Sequence, residues 1–82
     1  MLTGQIKWVG PLLKSKKGGV FRIISFDIFE DDVPSAQVFL DPANRNYSRW
    51  EPMLAEGNIL AGLVWKNREK RLIDGDSPVE LR

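Results

Sequence analysis

Neither cysteine nor histidine occurs in the 82 residues. Without cysteine there are no disulfides and no thiolate metal sites, a pattern that fits a reducing compartment. Without histidine the commonest general base near neutral pH and the commonest metal ligand are both missing. Carboxylates, lysines and hydroxyls remain, but they form no catalytic constellation, so a non-catalytic protein is expected. Long apolar runs are also lacking. The longest uncharged one, residues 59–65, is far short of the ~20 residues a membrane helix needs. The opening Met1-Leu2-Thr3-Gly4 has no basic segment leading into an apolar stretch, as a secretory signal would. Together these features predict a cytoplasmic protein without membrane contact. Net charge is only +1, from 12 basic and 11 acidic residues, so any electrostatic argument must rest on where the charges sit.

What is present is a core. Hydrophobic residues make up 43% of the chain, enough for a folded domain and too many for a disordered one. At this length residues 1–82 form a single domain, with a thin core in which each large apolar side chain matters. Residues 3–13 read as a long strand with a bulge or bend at Gly10-Pro11, where glycine relaxes the backbone and proline removes a ladder donor. Residues 14–19, ending in Gly18-Gly19, mark a hairpin turn. Residues 20–29 are the clearest strand. Val20, Ile24, Phe26 and Ile28 lie on one face, and Phe21, Ile23, Ser25, Asp27 and Phe29 on the other. Arg22 interrupts the first face and raises the possibility of a shifted register.

An acidic turn over residues 30–34 leads to a third strand at 36–40, with Val38 opposed to Gln37 and Phe39. Asp41-Pro42-Ala43-Asn44 breaks it. Ser48 and Glu51 have the spacing of a capping box, Pro52 is tolerable in a first turn, and Gly57 can end a helix. This predicts a two-turn helix over 48–56 whose Trp50 and Leu54 press on something apolar. A fourth strand is expected at 59–66 and a fifth at 70–74. The tail 79–82 is a candidate for one more short pairing. Three strands, one short helix and two further strands is the element order of an OB-fold, a five-stranded, partly open Greek-key barrel. The expected class is therefore mainly β, with the helix between strands 3 and 4.

The segment Gly18-Gly19-Val20-Phe21-Arg22-Ile23-Ile24-Ser25-Phe26-Asp27, then Ala36-Gln37-Val38-Phe39-Leu40, then residues 50–57 before the strand at 58–65, resembles the nucleic-acid-binding OB-fold domains. Such domains occur in single-stranded DNA-binding proteins, replicative polymerases and anticodon-binding domains. The likeness covers most of the chain through element order and turn chemistry, without a diagnostic motif. It implies a partner that is single-stranded DNA in preference to RNA. Domains of this shape also bind sugars and other proteins.

In an OB-fold the 1–2 and 4–5 loops flank a binding face made by strands 2 and 3. Here the first loop carries Lys14, Lys16 and Lys17, and the second region carries Lys66, Arg68, Lys70 and Arg71. Hairpin tips are also lysine-rich simply because they are solvated. Single-stranded nucleic acid stacks its bases on aromatic side chains. The candidates are Trp65, placed first because it adjoins Lys66 and Arg68, then Phe39 and Phe21, together with Trp8 on the first strand. Small domains need their aromatics inside, so Trp50 and Phe26 are read as core. The faces of Phe21 and Phe39 depend on register. Tyr47, between Arg45 and Arg49, either stacks or covers one end of the fold.

Asp31/Asp32 and Asp74/Asp76 are read as turn residues, since a hard-cation loop has more oxygen ligands and a following glutamate. No glycine-rich loop precedes a helix, so neither metal nor nucleotide cofactor is expected. The rival expectation is a protein-interaction subunit of a larger replication- or translation-associated assembly, using the tail after Pro78 and an exposed sheet edge.

Overall fold

Side chains alternate across a strand, so Ile24, Phe26 and Ile28 must share one face, and burying that face requires neighbours on both sides. The computed structural model, which describes residues 1–30 and 33–82, supplies them in a six-stranded sheet with antiparallel ladders. Its strands are β1 (Leu2–Val9), β2 (Leu13–Lys14), β3 (Val20–Ile28), β4 (Val33–Leu40), β5 (Ile59–Leu63) and β6 (Glu80–Leu81). They lie in the order β2-β3-β1-β5-β6, with β4 on β3. Asp31 and Asp32, and with them much of the acidic turn expected at 30–34, lie outside the described residues, and Val33 already belongs to β4.

The long first strand is split in two. Val9 pairs with Ile24, the Gly10 N–H donates to the Ile23 carbonyl at 2.9 Å, and Leu13 pairs with Phe21. The course of the strand thus survives the Gly10-Pro11 interruption. A Cβ on residue 10 would come within 2.7 Å of the Ile23 carbonyl oxygen and 2.8 Å of the Trp8 ring, so only glycine lets the indole and β3 approach so closely. The register shift itself falls earlier, at Lys7, between the pairs Ile6–Phe26 and Trp8–Ser25. Residues 14–19 form the expected hairpin turn, closed by the Ser15 N–H on the Gly19 carbonyl at 2.8 Å.

The helix is shorter than its sequence signals suggest. α1 spans Tyr47–Trp50 and tightens into a 3-10 turn at Glu51–Met53. The capping box does not form. The chain enters the helix at Asn46, drawn in by the buried Tyr47, and the Ser48 hydroxyl donates back to the Arg45 carbonyl at 3.1 Å. Pro52 has no N–H to continue an i to i−4 ladder, so the turn ends by 3-10 bonding, with the Leu54 N–H on the Glu51 carbonyl at 3.3 Å. Trp50 does what the amphipathic spacing implied. It is fully buried, tilts against Phe26 with ring centroids 6.3 Å apart, and donates its indole N–H to the Gly75 carbonyl at 2.9 Å.

The fifth strand expected at 70–74 is a correction. Residues 64–74 pair only at isolated points: Trp65 with Ile73 antiparallel, and Gln37 with Leu72 parallel. Four backbone bonds support these bridges. Gln37 donates to Arg71 (3.0 Å), Ile73 to Gln37 (2.7 Å), Lys66 to Leu72 (2.8 Å) and Asp74 to Val64 (2.7 Å). Lys70 takes a left-handed φ of 56°, which bends the chain and limits the extended stretch to too few residues for a ladder. The regular sheet therefore does not close between β4 and β5. The tail does pair: β6 joins β5 through Leu60–Leu81 and Ala61–Glu80. Gly62, at φ +80°, is needed there, because a Cβ would collide with the Pro78 carbonyl. One continuous core results, centred on Ile6, Ile24, Phe26, Trp50, Leu60 and Leu63. Among the described residues no helix is long and apolar enough to cross a membrane.

Candidate functional site

With Ile24, Val38 and Leu40 turned inward, the alternate residues of β3 and β4 form an outer face. Across it Ile23 pairs with Phe39 and Ser25 with Gln37. Phe21 and Phe39 lie diagonally, their rings stacked 5.9 Å apart and only 5° from parallel. Phe39 is 52% exposed. Two large apolar rings on a solvated sheet face gain nothing for the core and present flat π-surfaces to whatever docks there.

The bulge at Lys7 enlarges this face. Ile6 points inward, and two residues on in an unbroken strand Trp8 would do the same. The extra residue instead sets Trp8 opposite Ser25, with its indole 44% exposed. Leu13, also exposed, extends the face at the other end through its pairing with Phe21.

Both basic segments adjoin the phenylalanine pair. Lys14 pairs with Val20, next to the Leu13–Phe21 pair, so the exposed Lys14, Lys16 and Lys17 project from the Phe21 end. On the other flank, residues 71–73 run beside β4, and Lys66 shares the walls of two adjoining cavities with Phe39. Arg68, Lys70 and Arg71 are exposed on that flank's loop.

Trp65 is not among these residues. It is half-buried against the core and faces a shallow space lined by Met1, Leu2, Leu63 and Val64. Its sequence neighbour Lys66 lines the Phe39 side, since successive residues of an extended chain point to opposite faces. Residues adjacent in an extended chain have their side chains separated, so Trp65 and Lys66 do not share a surface.

Arg22, which broke the apolar pattern of β3, donates from Nε to the Gly10 carbonyl at 2.9 Å and from Nη1 to the Tyr47 hydroxyl at 3.0 Å. Tyr47 itself is buried, so it covers one end of the core and offers no ring for stacking.

The loop at 74–77 is a packed turn. The Asp76 N–H donates to Asp74 Oδ1 at 2.9 Å, and Asn46 Nδ2 donates to Asp76 Oδ1 at 2.6 Å. Among the described residues no three carboxylates gather to hold a metal ion. The Asp31/Asp32 pair lies outside the described residues. What sequence reasoning missed is the cavity beside Phe39, walled in part by Asp41, Asn44, Lys66 and Asp74. Its walls come from separate segments, and no local signal joins them. No family model, curated protein or solved structure matches this chain.

Proposed function

We propose that the chain is a non-catalytic OB-type module that binds single-stranded nucleic acid across the outer face of β3 and β4. The split strand β1–β2, then β3, β4, β5 and the bridged residues 71–73 correspond in order to the strands of a partly open Greek-key barrel. On that correspondence the lysine hairpin is the 1–2 loop and residues 66–70 lie in the 4–5 loop. The observation that carries the reading is the parallel Phe21–Phe39 pair, Phe21 half-buried and Phe39 exposed, with a basic segment at each flank. Aromatic rings stack bases with little regard to sequence, at about 1–3 kcal/mol per base, while lysine and arginine neutralise phosphates. Because the net charge is only +1, affinity depends on these local cations and falls steeply with salt.

Titration of tryptophan fluorescence with oligothymidine tests the proposal, with Trp8 on the binding face as reporter. Quenching is expected at low salt. If all seven candidate lysines and arginines meet phosphates, the slope of log K against log salt approaches about −5. No quench at low salt, or affinity indifferent to salt, rejects the function.

One observation favours the rival class. Leu12 is 55% exposed beside the hairpin, and Leu81 is 54% exposed on the edge strand β6. A protein partner would add a strand at that edge. Light scattering that finds a stable oligomer, with no response to oligonucleotides, would support that reading.

A further inference from the structure

Beside Phe39 two cavities of about 180 and 200 Å³ adjoin, sharing Phe39, Lys66 and Gly75 in their walls. One is largely apolar, where Phe39 meets Leu72 and Ile73. The other is polar, with Asp41, Asn44 and Asp74 in its wall. We propose that this double cavity receives one base of the bound strand and selects guanine; the proposal rests on the nucleic-acid reading above.

The apolar half suits the face of a base, stacked on Phe39 over Leu72. The polar half suits its Watson–Crick edge, the edge that single-stranded recognition reads. Asp76 also lines it, with Oδ1 taken by Asn46 Nδ2 at 2.6 Å, while Asp41 and Asp74 each have one oxygen occupied by their own loop. Asp41 Oδ1 accepts the Ala43 N–H at 2.8 Å, and Asp74 Oδ1 accepts the Asp76 N–H at 2.9 Å. The second oxygen of each remains an acceptor for an incoming donor. Asn44 Oδ1 accepts the Asn46 N–H at 3.2 Å, which leaves its amide NH₂ to donate, and the Lys66 ammonium donates from the neighbouring wall.

The pocket thus combines carboxylate acceptors with cationic and amide donors. Guanine is the base whose edge carries two adjacent donors, N1–H and the exocyclic amine, next to a carbonyl acceptor. Thymine and uracil offer one donor between two carbonyls, which the carboxylates repel. Adenine and cytosine offer a single amine beside an unprotonated ring nitrogen. The carboxylates also disfavour phosphate, so the backbone follows the lysines and arginines outside while the base turns in.

The test is anisotropy titration with labelled oligothymidine of about ten nucleotides, compared with versions carrying one central guanine, inosine, adenine or cytosine. Guanine is expected to tighten binding at least about fivefold over the all-thymine strand, the low end of what one good bidentate base contact gives. Inosine, which lacks the exocyclic amine, should lose most of that gain. Asp41→Asn and Asp74→Asn should each bring the guanine-to-thymine affinity ratio down towards one. Equal, salt-dependent affinity for all five strands overturns the pocket and leaves the binding function intact. Preference for another base, or a ratio untouched by both variants, also overturns it. If none of the strands binds at low salt, both proposals fall.

Discussion

Ser77 is the buried polar side chain among the described residues, 2% exposed, and its hydroxyl is fully engaged. It donates to the Asp74 carbonyl at 2.6 Å and accepts the Val64 N–H at 3.0 Å, tying the turn at 74–77 to the end of β5. Phe39 is its opposite: a large apolar side chain, half in water, that the core does not use. The two residues should therefore respond in different assays. Ser77→Ala removes the acceptor of the Val64 N–H and should lower unfolding free energy by about 0.5–1.5 kcal/mol in urea titrations. Phe39→Ala should change stability by less than about 1 kcal/mol yet weaken oligothymidine binding by about tenfold, the value of one stacked base. A Phe39→Ala protein that unfolds early, or binds undiminished, would assign the ring to structure. Phe39 was legible as a candidate because Val38 beside it had to face inward. Trp65 adjoins Lys66 in sequence, but the two side chains line different spaces on the surface.

At the scale of elements, the lysine hairpin is the part read most completely from sequence. Its position, closure and exposure follow from a polar run ending in two glycines between apolar strands. Replacing Lys14, Lys16 and Lys17 together by alanine should reduce the salt slope of oligonucleotide binding by about 2, at about 0.7 per phosphate contact on a single strand. Stability should hold, since these side chains are exposed and only Lys14 lies in a strand. A slope left unchanged would remove the hairpin from the binding surface. The bulge shows the limit of such reading. Gly10-Pro11 announces an irregularity in the first strand, and a break does occur there, but the shift that turns Trp8 outward lies at Lys7. An ordinary lysine carries no mark of a bulge; packing Ile6 and Val9 inward on either side of it creates one. The helix tells the same story: Pro52 and the early burial of Tyr47 overrode a capping box whose residues were all present.

For the whole molecule, a single apolar cluster joins residues from β1, β3, β4, β5, the helix and the tail. With no second core among the described residues to unfold separately, urea denaturation should be two-state. Tryptophan fluorescence, to which the buried Trp50 contributes, and far-UV circular dichroism should give coincident transitions. Transitions that separate would mean that the bridged segment 64–74 or the tail unfolds independently of the sheet. Folding should be slow for so short a chain, in milliseconds to seconds, because β1 must find β5 from opposite ends of the sequence, Leu2 against Leu63.

The sequence by itself determined the mainly β character, the strands around Ile24 and Val38, the lysine hairpin and the burial of Trp50. It also removed histidine and cysteine chemistry outright. These follow from local terms: side-chain period, turn residues and composition. The tertiary structure decided which face Trp8 and Trp65 present, how short the helix is, that residues 70–74 meet β4 and the segment after β5 only at single bridges, and that Asp41, Asn44, Lys66 and Asp74 line one cavity beside Phe39. The physical reason is register. In a sheet, one inserted residue reverses every side chain beyond it, and the packing of distant strands sets where that insertion falls.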